Sequence, residues 1–402
     1  MRKLLFPLFS LFLLTSLVLA ACGTPVTPAT QATVATQEPV ATEAPSTTEA
    51  PATTDETPAA TEPPAAGDAT PTTAAAEEPA PPVAGGERLQ AILDRGQVIC
   101  GVHGTFQGFG FVESDGSWTG FDVDFCRAWA AALFDDPNAV EFRGLSAQER
   151  FTALQSGEVD VLARNSTWTW SRDVELGLTF GPVNFYDGQA IMAKREIVDD
   201  PAAGLDALEG ANVCVQSGTT TELNLADQFR AAGVNYTPVV FEDQNAAFQA
   251  YDEGRCDAIT SDRSQLATQG QAVLQNFEDH VILDLVMSKE PLAPAVSDGD
   301  PRWAQVVQWV VYGMIQAEEL GITSANVDEF LTSEDPVTRR LLGVEGELGA
   351  MLGLSNDFIY RAIKHVGNYG EVYDRNLSTF NLARGQNELW TNGGLMYSPP
   401  FR

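Results

Sequence analysis

Basic residues are scarce in this chain. Its 402 residues hold 23 Lys and Arg against 55 Asp and Glu. From residue 87 onward the balance is 21 against 46, a formal charge of −25. A field of that sign argues against nucleic acid or an anionic lipid surface as partner. Histidine is rarer still, with His103, His280 and His365 far apart in sequence. The five cysteines (Cys22, Cys100, Cys126, Cys214 and Cys256) include no Cys-x-x-Cys pair. A zinc or dithiol redox site is therefore unsupported, and no metal or other cofactor is expected. A Gly-x-Ser-x-Gly elbow and a phosphate-binding loop are also missing.

What is present begins with an address. Arg2 and Lys3 precede an apolar run from Leu4 to Ala20, which ends in Leu19-Ala20-Ala21-Cys22. A basic start, a short apolar core and small residues before a cut site read as a secretory signal over 1–22. At about 17 residues the run is at the low limit for a spanning helix. Its ending resembles the bacterial lipobox, which implies acylation of Cys22. Residues 23–86 are mostly Thr, Pro, Ala and Glu, with no Lys or Arg. Such a segment buries too little apolar surface to offset its ordering entropy and reads as a disordered tether. The expected location is extracytoplasmic, either lipid-anchored on the outer face of the cell membrane or periplasmic. Four cysteines then remain in an oxidising compartment, with three possible pairings.

The body from residue 87 is large for one core and comfortable for two. Val98–Val102 reads as a buried strand, 121–134 as a helix with apolar residues at 121, 125, 128, 129, 132 and 133, and Val140–Phe142 as a strand. Asp122 and Asp124 read as cap and dipole partners of that helix. Ser146-Ala-Gln-Glu149 forms a capping box for the next helix, and Val159–Ala163 is a third strand. The same β-α-β-α-β order recurs from Asn212 through Thr260. Two spacings tie the halves: Cys100-x-x-x-Gly104-Thr105 with Cys214-x-x-x-Gly218-Thr219, and Phe151-x-Ala153-x-x-x-Gly157-x-x-Asp160 with Phe248-x-Ala250-x-x-x-Gly254-x-x-Asp257. This order calls for two α/β lobes, each a parallel sheet covered by helices.

Ligands of open α/β sheets sit beyond the carboxyl ends of the strands. There the first lobe carries Asn165, Ser166, Thr167 and Thr169, with Arg172 able to reach back over them. An arginine fork beside hydroxyls suits a carboxylate, although arginines paired to nearby acids would look the same. The second lobe offers Thr219–Thr221 at a helix start, favourable to an anion, and Asp262, suited to an ammonium. Together they fit the two charged ends of an α-amino acid.

Gly120-Phe-Asp-Val-Asp-Phe125, Arg164–Arg172, Val213–Leu225, Leu341–Gly346, Gly367–Tyr373 and Tyr397–Arg402 carry a resemblance to the family 3 bacterial extracellular solute-binding proteins. Within that family they resemble the general L-amino acid-binding proteins of ABC transporters. The likeness spans essentially all of 87–402 and leaves out the tether. It implies an α/β, two-lobed periplasmic-binding-protein-like fold of type II, with two parallel-rich doubly wound sheets joined by a two-crossover hinge. Lobe 1 would comprise 87–192 and 288–402, the latter including a C-terminal helical extension, and lobe 2 would comprise 193–287. The crossings would fall near Met192–Arg195 and Leu285–Ser288.

The implied function is a non-enzymatic receptor that captures L-amino acids, broadly polar, acidic and amide, and then docks a membrane permease. By the same resemblance Arg172 clamps the carboxylate with help from Thr167, Thr219 and Thr220, Asp262 takes the ammonium, and Arg164 and Asn165 tune side-chain choice. Phe106 or Phe109 covers the ligand. His103 lies at the cleft rim, and of Trp168 and Trp170 one faces the cleft and the other the core. Disulfides Cys100–Cys126 and Cys214–Cys256 are expected, each within one lobe, in a monomer. The competing readings are a cyclohexadienyl dehydratase-like enzyme with Glu222 or His103 as its acid, and the sensor module of a signalling protein.

Overall fold

The computed structural model describes residues 86–402; the expected signal, Cys22 and the tether lie outside the described residues. Helix α1 (Glu87–Arg95) leads into β1 (Val98–Val102). A small antiparallel sheet of β2 (Thr105–Phe106), β3 (Gly110–Val112) and β4 (Trp118–Thr119) intervenes before α2 (Phe121–Phe134). Then come β5 (Val140–Gly144), α3 (Arg150–Gln155), β6 (Val161–Leu162), α4 (Trp170–Val174) and β7 (Leu178–Phe180). After the ten-residue β8 (Phe185–Lys194) the plan repeats: β9 (Ala211–Gln216), α5 (Thr220–Ala232), β10 (Tyr236–Phe241), α6 (Gln244–Asp252), β11 (Ala258–Asp262), α7 (Arg263–Val273) and β12 (His280–Ile282). The chain returns through β13 (Ser288–Leu292), β14 (Ala295–Ser297) and α8 (Pro301–Glu319).

Strand order is β5-β1-β6-β14-β7 in one sheet and β10-β9-β11-β8-β12 in the other. In each, three parallel strands are followed by one inverted strand, β14 or β8, and a fifth that pairs with it. Strands β8 and β13 pair antiparallel from Phe185–Leu292 to Gln189–Ser288 and carry the two crossings. Phe185 and Leu292 lie in the lobe 1 core, whereas Ile191 and Met287 lie in the lobe 2 core. The first crossing therefore falls between Phe185 and Ile191, earlier than Met192–Arg195, whose Met192 already packs in the core of lobe 2. The crossing is read late from sequence because β8 runs unbroken for ten residues from one core into the other.

Apolar alternation explains the lobe 2 core. Val213 and Val215 pack with Leu225 and Phe229 on one face of the sheet, while Cys214 packs with Phe248 and Tyr251 on the other. The repeat holds where it is structural. Gly157 and Gly254 both adopt left-handed φ, 76° and 79°. Three residues later the Asp160 carboxylate accepts the Ile99 N–H at 2.7 Å, and the Asp257 carboxylate accepts the Asn212 N–H at 2.7 Å. The cysteine spacing, in contrast, does not mark equivalent sites. Cys100 pairs with Val161 in the ladder, but Val213, not Cys214, pairs with Ala258. A one-residue shift turns a side chain to the opposite face. The disulfides accordingly differ in kind: Cys100–Cys126 ties β1 to α2, and Cys214–Cys256 ties β9 to the residues before β11. Gly104-Thr105 enters the small sheet, whereas Gly218-Thr219 opens α5 directly.

Helix α8 runs for 19 residues. Asp300 caps it by accepting the Trp303 N–H at 2.8 Å, and Pro301 stands at the first position. Helices Phe358–Val366 and Tyr369–Leu377 pack against α2 and α8. Beyond them, the buried Asn387 pins the hinge strand. Its Oδ1 accepts the Tyr186 N–H at 2.6 Å and its Nδ2 donates to the Tyr186 carbonyl at 3.1 Å. Among the described residues no helix is long and apolar enough to cross a membrane.

Candidate ligand-binding cleft

The loop after β6 is held by the hinge. Thr167 forms a bridge with Leu292, the Trp168 N–H donates to the Pro291 carbonyl at 2.8 Å, and the Ala293 N–H donates to the Ser166 carbonyl. Asn165 adopts φ 33°, rare for a side-chain-bearing residue, and its N–H donates to Asp122 Oδ2 at 2.9 Å. Asp122 is thus an anchor for this loop. It is not a helix cap, because Gly120 holds the cap position of α2 and no side chain caps it. Asp124 instead pairs with Arg127 and Arg375.

His103, Arg150, Arg164, Asn165 and Thr167 from lobe 1 face Gln216, Thr219–Thr221, Ser261, Asp262 and Gln265 from lobe 2. The space between them, about 20 Å³ over the centres of water-sized spheres, holds little more than one water. An amino acid enters only if the walls part. Gln148 Nε2 donates across the cleft to Ser217 Oγ at 2.8 Å. The walls are therefore those of a shut cleft.

The two sides differ in their ionisable groups, basic on lobe 1 and acidic opposite. On lobe 1, Arg164 Nε donates to the Leu145 carbonyl at 2.7 Å and Arg172 Nη1 to the Thr167 carbonyl at 2.9 Å. Arg150 and Arg172 lie over the ring of Phe151, at 4.7 and 5.0 Å from its centroid. Burial lowers the pKa of Arg164 to about 10, and the nearby Arg172 adds to this. Burial, with Arg164 and Arg150 beside it, holds His103 well below the ordinary histidine range, so it is neutral. Opposite stands Asp262, with Asp187 and Glu290 paired behind it on the hinge strands β8 and β13, outside the cavity lining. Burial and the two neighbouring acids push Asp262 well above the usual carboxylate range, and burial lifts Asp187 to about 6. Thr219 caps α5 by accepting the Glu222 N–H at 3.1 Å.

Glu290 was not legible in sequence. It is 1 % exposed on β13 and accepts from Thr167 Oγ1 at 2.6 Å, Thr220 Oγ1 at 2.9 Å and Asn224 Nδ2 at 3.0 Å, with Ser288 Oγ as a fourth donor. One carboxylate thus joins both lobes at the crossing. Arg150 was missed as well, although its place at the start of a helix facing the cleft follows from the capping turn that Ser146 and Glu149 form reciprocally. Gln189, wholly buried, donates to the Thr221 carbonyl and to Thr260 Oγ1, both at 2.9 Å.

Five of the residues singled out in sequence fall elsewhere. Phe106 and Phe109 are fully buried and stacked 4.6 Å apart; Phe106 meets His103 edge-on beneath the cleft wall and does not cover the cavity. Trp168 and Trp170 are 40 % and 72 % exposed, so neither is core. Trp168 stacks on Phe180 and donates to Asp173, away from the cavity lining. Glu222 lies outside the lining, its carboxylate accepting the Gly218 N–H at 2.9 Å.

Comparison with known proteins places this geometry. Residues 98–324 match the model of the bacterial extracellular solute-binding proteins, family 3. The chain is 49 % identical over 319 residues to the general L-amino acid-binding periplasmic protein AapJ of Rhizobium johnstonii, covering 78 % of this chain and 92 % of that one. It is 50 % identical over 318 residues to the glutamate/glutamine/aspartate/asparagine-binding protein BztA of Rhodobacter capsulatus, covering 78 % and 93 %. A solved structure of an ABC transporter/periplasmic binding protein from Brucella ovis with glutathione bound superposes with a TM-score of 0.76 at 50 % identity, over 78 % of this chain and 99 % of that one. With two lobes, a two-strand crossing and a match of this extent, the chain belongs to the family 3 bacterial extracellular solute-binding proteins.

Proposed function

We propose that the protein is the substrate-binding receptor of an ABC-type amino-acid importer and captures acidic and amide L-amino acids between its lobes. The observation that carries this reading is the opposition of the buried Arg150 and Arg164 guanidinium groups to the buried Asp262 carboxyl across one small cavity. An α-amino acid bridges such a pair of walls with its two charged ends. Arg172, with Thr167, holds the α-carboxylate, assisted by the N-terminal turn of α5 at Thr219 and Thr220. Asp262 takes the ammonium, whose charge favours the ionised carboxylate. Arg164 and Asn165 set side-chain choice. The names of AapJ and BztA point to the same ligand class.

Capture proceeds without chemistry, and the closed form docks a membrane permease. Residues 1–22 are a lipoprotein signal, acylation at Cys22 anchors a single copy to the outer membrane face, and 23–86 tether the body. Lobe 1 comprises 87 to the first crossing and 288–402, with lobe 2 between. A thermal-shift panel over the twenty amino acids tests the reading. A ligand at 100 times its dissociation constant adds about 2.7 kcal/mol, so glutamate, glutamine, aspartate and asparagine should raise the melting temperature. No shift with any amino acid would refute it. Product formed from arogenate or prephenate would favour an enzyme on the same scaffold.

A further inference from the structure

Glu290 lies outside the cavity lining, yet both lobes are bonded to it. Its Oε2 accepts from Thr167 Oγ1 on lobe 1 at 2.6 Å and from Thr220 Oγ1 on lobe 2 at 2.9 Å. Its Oε1 accepts from Asn224 Nδ2 on lobe 2 at 3.0 Å and from Ser288 Oγ at the crossing. Here β13 keeps company with lobe 1. The Trp168 N–H donates to the Pro291 carbonyl, Thr167 forms a bridge with Leu292, and the Ala293 N–H donates to the Ser166 carbonyl. The loop that bears Thr167 therefore travels with Glu290. Thr220 and Asn224 stand on α5, which Gln189 ties to β11 in lobe 2. Theirs are the bonds that a parting of the lobes takes away. Bonds to a charged acceptor contribute more than neutral ones, so losing two of four favours the shut cleft. Arg172 Nη1 donates to the Thr167 carbonyl, which makes one bonded chain from the proposed carboxylate clamp through Thr167 and Glu290 to α5.

We infer that Glu290 is a positioning residue that locks α5 of lobe 2 onto the ligand seat of lobe 1, and so sets the fraction of the receptor that is shut. It touches no ligand. A dissociation constant rises by the factor by which the shut population falls, and by the same factor for every ligand that needs the shut form. This inference rests on the amino-acid receptor reading.

Asn224 is the probe, because it meets Glu290 and is likewise absent from the cavity lining. Calorimetric titration with L-glutamate, L-glutamine and L-asparagine is run on the full chain, on Asn224→Asp, on Asn224→Ala, and on Asn224→Asp combined with Glu290→Gln. Asn224→Asp sets two carboxylates against each other and should weaken all three ligands by about 10-fold or more, with losses equal to within about 3-fold. Asn224→Ala deletes one donor and should give a smaller, equally uniform loss of about 3- to 10-fold. In the double variant the new amide donates to the new carboxylate while its oxygen accepts from the two threonines, so affinity should return to within about 3-fold of the unsubstituted chain. Amide exchange of residues 217–224 without ligand should quicken in Asn224→Asp and slow again in the double variant. Unchanged affinity in both single variants, a double variant no better than Asn224→Asp, or losses that differ among the ligands would overturn the assignment. So would a fall in melting temperature with the three dissociation constants unmoved, which marks a structural contact alone. Failure of the unsubstituted chain to bind any of the three removes the receptor reading itself, and this inference with it.

Discussion

Asp122 lies in the first turn of α2 and accepts the Asn165 N–H that positions the cleft loop. Burial raises its pKa to about 7, against the opposing influence of that N–H and of Arg164. In the unfolded chain it titrates at 3.8. Between those values the folded protein keeps a proton that the unfolded chain has lost, so stability falls as pH rises. The slope is about 1.4 kcal/mol per pH unit, which over roughly three units removes about 4 kcal/mol by pH 8 relative to pH 4. Asp122→Asn keeps the shape and the oxygen that accepts from Asn165, but cannot ionise. It should match the unsubstituted protein at pH 4 and exceed it at pH 8 by up to about 4 kcal/mol. Asp187 and Asp262, also raised, slope the same way in both proteins, so the difference isolates Asp122. Urea unfolding followed by tryptophan fluorescence from pH 4 to pH 8 measures it. Two parallel curves with a constant offset would refute the reasoning.

Other expectations are simpler. Arg172→Ala should cost glutamate binding about 2–5 kcal/mol by calorimetry, since it leaves a carboxylate facing fewer donors. Replacing both Cys214 and Cys256 by Ala opens a link between residues 42 apart and should cost about 4 kcal/mol of unfolding free energy by loop closure. Affinity should hold, because the pair stays inside lobe 2 and off the cavity lining. Gln148→Ala removes one exposed cross-cleft hydrogen bond and should weaken ligand binding less than about five-fold. Asn387→Ala should speed amide exchange at Tyr186, whose N–H loses its partner.

Much of the architecture was legible because each lobe repeats a local rule. The Gly157 and Gly254 turns, and the Asp160 and Asp257 carboxylates after them, are set by backbone needs that recur at fixed spacing. The cysteine match misled for the complementary reason: a spacing within one strand does not record which ladder neighbour it meets. Strand-end residues such as Thr219 and Asp262 could be found because chain order places them at carboxyl ends. Glu290 could not be, since it reads as an ordinary exposed acid in Ser-Lys-Glu-Pro-Leu until the hinge brings Thr167 and Thr220 to it. Phe106 was misplaced because an aromatic at the end of a strand can turn either up into the cleft or down into the core. Here Phe109 and His103 draw it down.

Gln189 has a consequence for how the receptor moves. On the hinge strand it faces Asp262 on one side and Ser288 on the other, and its side chain grips both the first turn of α5 and β11. The α5 terminus and Asp262 are thereby soldered into a single jaw. When the hinge turns, the groups proposed to meet a ligand's anionic end and its cationic end swing in on the same arc. The second lobe cannot engage one end and leave the other waiting. Closure should register as one relaxation in a stopped-flow trace, and a ligand lacking either end should fail to stabilise the shut form.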